Sequence, residues 1–103
     1  MADLETFEWL TKQTVRNSRG FEFGTAGRFA MEYREGERSM LLPGEHMFSG
    51  LEGASWGFIF DGWHAVRWQP PHDWDDITDE NRAQIKANVI RAIGFMDGKA
   101  KFI

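Results

Sequence analysis

His72, Asp73, Asp75 and Asp76 bring imidazole and carboxylate donors together within one short stretch, and these are ligand types for a divalent metal. With His64 upstream they sketch a site of two histidines and a carboxylate. The spacing is not that of a calcium loop, which needs a glycine for its sharp turn and a closing glutamate. Acids directly before a helix also have a simpler role, because they complement the positive end of its dipole. That simpler role is adopted here, and no metal ligand is assigned.

His46, His64 and His72 could each act as a general base. No Ser, Thr or Asp nucleophile sits in a motif around them. Gly50-x-x-Gly53 and the Gly20, Gly24, Gly27 series lack the Lys-Ser/Thr of a phosphate loop and the spacing of a dinucleotide fingerprint. The absence of cysteine excludes thiolate catalysis, disulfides and cysteine-based zinc sites. No catalytic residue and no cofactor are assigned, and the chain is read as a non-enzyme. His64, in an apolar stretch, is read as a structural histidine.

Trp74 is the residue whose setting asks for a partner. It is flanked by Asp73 and Asp75, with Asp76, Asp79 and Glu80 following and no Lys or Arg among them. A tryptophan so placed either folds back as a local plug or stands out as an interface anchor ringed by acids.

A chain of 103 residues has to position these groups, and that is the size of one domain, here 1–103. An N-terminal helix is expected within 1–19. Asp3 would be its N-cap, and Leu4, Phe7, Leu10 and Thr14 its apolar stripe, with Trp9 off that stripe. Antiparallel hairpins are expected over 21–68. Phe21 and Phe23 open them. Residues 29–34 and 37–42 then flank a Glu35-Gly36 turn, with Phe29 facing Leu42, Met31 facing Met40 and Tyr33 facing Arg38. Arg28, Arg34 and Arg38 alternate with Glu32, Glu35 and Glu37 as on a solvated face.

Pro43-Gly44-Glu45 should end that strand, and residues 46–55 read as a loop or short helical turn. Asp61-Gly62 between two apolar runs predicts a second hairpin, 56–60 with 63–68. Thr78 caps a C-terminal helix over 78–97 that buries Ile85, Val89, Ala92, Ile93 and Met96, leaving Arg82, Lys86 and Arg91 to solvent. An edge strand over 99–103 closes the chain. The fold class is α+β: a mainly antiparallel sheet of about five or six strands, the C-terminal helix on one face, the N-terminal helix at the edge or on the other face.

Net charge is −4 without a basic stripe, which argues against a nucleic-acid partner. No stretch is long and apolar enough to span a bilayer. The acidic N-terminus, Met1 to Glu8, lacks the features of a secretory signal, so a cytoplasmic location and no membrane partner are expected.

Four stretches carry a resemblance. Ser18-Arg19-Gly20 precedes the first of the predicted strands, and Pro43-Gly44-Glu45 follows the first hairpin. Val66-Arg67-Trp68-Gln69-Pro70-Pro71 leads into the acidic loop. Ile77-Thr78-x-Glu80-x-Arg82-x-x-Ile85-x-x-Asn88-Val89 opens the helix, before a glycine and a final strand. Over roughly residues 14–103 this order resembles the immunity proteins of bacterial polymorphic toxin systems, most closely the immunity protein 74 family. The resemblance implies a small cytosolic protein that binds a cognate toxin domain and neutralises it by occlusion. On that reading the partner-binding residues are Trp74, Asp73, Asp75, Asp76 and Glu45. Two alternatives remain: a structural or regulatory module that forms a homodimer through its aromatic hairpin or its outer strand, and a small metal- or ligand-binding protein using His64, His72 and the neighbouring aspartates.

Overall fold

The computed structural model describes residues 5–47 and 53–103. Seven strands form one curled sheet in sequential order: β1 (Phe7–Trp9), β2 (Thr14–Asn17), β3 (Phe21–Thr25), β4 (Ala30–Glu35), β5 (Arg38–Met47), β6 (Trp56–Phe60) and β7 (Gly98–Phe102). Neighbours are antiparallel except β6 and β7, which run parallel. A parallel pair needs a long crossover. Helix α1 (Asp79–Phe95) supplies it, preceded by a 3-10 turn at Trp63–Ala65. The fold is α+β, with α1 packed on one face of the sheet.

Alternation along the strands decides which face that is. Trp9, Val15, Phe23, Tyr33 and Met40 form one row across five strands, and Thr25, Met31 and Leu42 form the next. Phe58 and Phe60 continue this inner face, and Ile85, Val89, Ala92 and Ile93 of α1 join it in a single core. Burying each large side chain contributes about 1.5–3 kcal/mol. The opposite face is an alternating charge row, Glu8, Arg16, Glu22 and Arg34, in which Arg16 reaches Glu8 at 3.6 Å and Glu22 at 3.7 Å. Of the interleaved charges read from the sequence, Glu32 and Arg34 belong to this solvated face, whereas Glu35 and Arg38 share the parity of Tyr33 and Met40 and lie on the helix side.

No N-terminal helix is present among the described residues; 7–9 and 14–17 form an antiparallel hairpin instead. As a strand, β1 turns both Phe7 and Trp9 inward, whereas a helix would have left Trp9 off the apolar stripe. Phe7 stacks on Phe95 at 5.1 Å and meets Phe21 edge-on at 6.0 Å. Thr14 and Val15, poor in a helix, suit a strand. Asp3, the expected cap, lies outside the described residues.

The β4–β5 hairpin turns at Gly36 and Glu37, not at Glu35 and Gly36, with Gly36 at φ 63. Glu35 faces Arg38, Tyr33 faces Met40 and Met31 faces Leu42. The slip preserves parity, so Met31, Tyr33, Met40 and Leu42 stay on the core side as expected. Phe29 does not, and is 62% exposed. Nor does Pro43-Gly44-Glu45 end the strand, which runs on to Met47. Pro43 is a corner: β5 pairs with β4 up to Pro43 and with β6 from Gly44. A Cβ on Gly44 would lie 2.1 Å from the Ile59 carbonyl oxygen, so only glycine allows β6 this close.

The second hairpin is half formed. β6 is a strand, but Asp61-Gly62 sends the chain into the 3-10 turn, and β7 occupies the place expected for 63–68. Val66 and Trp68 still bury themselves, as part of an extended segment over the core. The helix begins at its expected cap, where Thr78 Oγ1 accepts from the Asn81 amide at 3.0 Å. Arg82, Lys86 and Arg91 are engaged and do not simply face solvent. Arg82 donates to the Trp63 carbonyl, Lys86 sits over the Phe102 ring, and Arg91 pairs with Glu5.

Candidate functional site

The acidic loop is fastened at both ends, by the core residue Trp68 before it and by half-buried Ile77, packed against the core, after it. Gln69 ties the entry to the stretch of β5 that β6 does not pair. Its amide donates to the Ser39 carbonyl at 2.7 Å, and Ser39 Oγ donates to its side-chain oxygen at 2.9 Å. Two tight turns follow, His72 N–H to the Gln69 carbonyl and Asp75 N–H to the His72 carbonyl. Pro70 and Pro71 restrict φ between them. Thr78 then stops the loop by starting α1.

Two arginines hold the loop from outside its own sequence. Arg67 donates to the Asp73 carbonyl through Nε and Nη2, at 3.3 and 3.1 Å. The Arg38 guanidinium lies 4.4 Å from the Trp68 ring centre and contacts both Glu35 and Asp75 at 3.9 Å. His72 Nδ1 reaches the same Asp75 carboxylate at 3.5 Å. These pairs are largely exposed and each contributes little energy. Their effect is to fix direction.

What the fastening leaves outside is Trp74, 87% exposed. The folded-back plug is therefore excluded. Asp75 and Asp76 are exposed beside it, and Asp73 is half-buried with its carbonyl held by Arg67. Of the five carboxylates between Asp73 and Glu80, Asp75 pairs with Arg38, which Glu35 shares, and Arg67 bonds the Asp73 backbone carbonyl, so the loop keeps a net negative charge. Two of the five, Asp79 and Glu80, also occupy the first turn of α1.

Glu45 does not belong to this group. It lies on the outer face of the sheet, paired with Ile59, and borders a groove with Phe29, Pro43, Asp61 and Ile103. It lies six steps along β5 from Ser39, up to about 20 Å of strand. His64 is exposed on the 3-10 turn and not a core histidine. The sketched metal site is not assembled: among the described residues no three His, Asp or Glu side chains converge.

Beneath the helix runs a polar chain that the apolar stripe concealed. Glu5 accepts both carboxylate bonds from Arg91 Nε at 2.9 Å and one from Asn17 Nδ2 at 2.7 Å. Arg91 Nη2 donates to Asn88 Oδ1 at 2.6 Å, Asn88 Nδ2 to Tyr33 Oη at 3.0 Å, and Tyr33 Oη to Glu35 at 2.6 Å. Burial alone would raise the Glu5 pKa, yet the bonds from Arg91 and Asn17 and the charges of Arg91 and Arg19 hold it below the ordinary value. The Tyr33 hydroxyl is pushed well up, by burial first and by its bond to Glu35 second. It remains a neutral donor. The chain ends at Glu35, which also touches Arg38, so the β1 end, the helix and the loop's fastening arginine are linked through one network.

Sequence reasoning singled out Trp74 and the aspartates and did not name Arg38, Arg67 and Gln69 as the residues that hold the loop. Arg67 and Gln69 flank Trp68 and were visible as neighbours of the loop, while Arg38 needed the tertiary fold. Among the described residues no helix is long and apolar enough to cross a membrane. A scan against protein-family models, a search of curated proteins and a search of solved structures found nothing that matches this chain.

Proposed function

We propose that the chain is a protein-binding module that neutralises a toxin domain by occlusion, with Trp74 as its anchor and Asp73, Asp75 and Asp76 as its acidic rim. The observation that supports this most is a tryptophan 87% exposed at the tip of a loop tied down at both ends. Covering an indole of roughly 200 Å² is worth about 5 kcal/mol before ordering costs are subtracted. A tethered loop keeps those costs low, since little freedom is lost on binding. The net negative rim suits a basic cleft, such as one that holds nucleic acid, and would speed encounter, while the buried anchor slows escape. No turnover is involved in this reading. The resemblance to immunity proteins points the same way, and the occupant it implies is the toxin domain encoded beside this chain.

The test is co-purification with the toxin fragment encoded immediately upstream. Trp74→Ala should weaken the complex at least about 30-fold, the loss of a hot-spot residue. Asp75→Ala with Asp76→Ala should mainly slow association and reduce its salt dependence. Absence of a complex sinks the function; a complex indifferent to all three substitutions sinks the site.

A further inference from the structure

Helix α1 covers only part of the inner face of the sheet. It ends at Phe95, and beyond it four inward-facing side chains from four strands surround a gap: Trp9 of β1, Thr25 of β3, His46 of β5 and Trp56 of β6. Met96 closes the gap on the helix side and Lys12, from the β1–β2 turn, stands at its edge. In a flat sheet β1 and β6 would lie about 24 Å apart, five strand spacings. Curling brings their tryptophans to one cavity of about 250 Å³.

The walls are preformed. Trp56 Nε1 donates to the Met96 carbonyl at 2.8 Å, which sets the plane of the indole and satisfies a carbonyl at the helix end. Gly98 makes room for that ring, since a Cβ there would come 2.4 Å from it. The His46 ring tilts against Trp56 at 6.0 Å and meets Phe58 edge-on at 4.9 Å. Trp9 leans on Phe95 at 5.8 Å and is still 49% exposed. No core contact requires that exposure.

We infer that this cavity is a binding site for a small planar aromatic acid of one or two rings, its ring between Trp9 and Trp56 and its carboxylate toward Lys12. The size argues for it, because pockets for drug-sized ligands start at about 300 Å³ and this one is smaller. Flat aromatic walls select a flat ring. The charge argues for it as well: among the described residues, Lys12 and His46 are the two ionisable side chains of the lining. Burial lowers the His46 pKa, so the imidazole is a neutral wall. The nearby Asp97 carboxylate is turned to the Ser55 hydroxyl at 3.0 Å. The site is independent of the Trp74 loop. Loop and cavity lie at opposite ends of α1, about 25 Å apart by helix rise, so either assignment can fail without the other.

The experiment is a titration of the full chain with 1-naphthoate and with neutral 1-naphthalenemethanol, followed by the indole N–H resonances of Trp9 and Trp56. Saturable shifts at both indoles are expected with 1-naphthoate, and binding several-fold weaker with the alcohol. Trp9→Ala and Lys12→Glu should each weaken 1-naphthoate at least about fivefold. Lys12 is exposed in a turn, so its variant keeps the fold and decides the matter if Trp9→Ala does not. No shift at the solubility limit of the probe, or affinity unchanged by Lys12→Glu, overturns the proposal. Equal affinity for acid and alcohol overturns the assignment of an acid.

Discussion

Replacing Asn88 by alanine tests whether the polar chain under α1 holds the fold together or is merely tolerated there. Asn88 is 7% exposed and uses both ends of its amide, donating to Tyr33 Oη and accepting from Arg91 and Gln84. The Arg91 bond is charge-assisted and contributes about 1.5–3 kcal/mol, the Tyr33 bond about 1 kcal/mol, and the exposed Gln84 little. Asn88→Ala should therefore cost about 3 kcal/mol, a fall of roughly 12–24 °C in melting temperature for a domain of this size. The assay is urea unfolding of the wild type, Asn88→Ala, Tyr33→Phe and the double variant, with exposed Ile90→Ala as a control expected within about 0.5 kcal/mol. Coupling between Asn88 and Tyr33 should exceed about 0.5 kcal/mol, because they share a bond. A loss below about 1 kcal/mol for Asn88→Ala, additivity in the cycle, or a more stable Asn88→Leu would refute the reasoning: apolar packing of Ile85, Val89 and Ile93 would then hold the helix alone.

Gly44→Val should lower stability by at least about 2 kcal/mol through overpacking, because the new Cβ meets the Ile59 carbonyl at the β5 corner; a urea midpoint unchanged from wild type would show that the corner yields. Glu5 gives the pH dependence its sign. Its pKa is lowered on folding, so the stability it contributes is complete above the ordinary value of 4.5 and is lost as pH falls through the depressed one. Glu5→Gln should flatten the acid limb of stability against pH below that value, and an acid limb unaltered by the substitution would remove Glu5 as its source.

Strand and helix identity were legible where one period dominated. The helix from Thr78 follows from its cap, its acids and the Ile85, Val89, Ile93 spacing, and the β4–β5 hairpin keeps its core face even though its turn slips by a residue. The N-terminus was illegible because two periods compete there. Phe7 and Leu10 fit a helix, Phe7 and Trp9 fit a strand, and only the ring of Phe95 and the row from Val15 to Met40 decide between them. The segment 63–68 failed for a different reason. Its apolar residues are buried as expected, but the place beside β6 goes to β7, thirty residues further on, which no local signal announces. Pro43 misled for a third reason: a strand that changes partners needs no ladder bond from the residue at the change.

The candidate loop was legible as composition and not as geometry. Its aspartates appear in the sequence without a cation among them, yet Arg38 pairs with Asp75, Arg67 holds the Asp73 carbonyl, and together they set the direction in which Trp74 points. The network ending at Glu35 extends that control. Glu35 accepts from Tyr33 and touches Arg38, while Tyr33 accepts from Asn88 on the helix. Loss of Asn88 would loosen this linkage without touching Trp74 or any aspartate. If the loop binds because it is pre-set, then Asn88→Ala should weaken the complex mainly through ordering cost, with Trp74 still the anchor. A loop that binds only by its charge and its indole would be indifferent to Asn88, and that separates preorganisation from composition as the source of affinity.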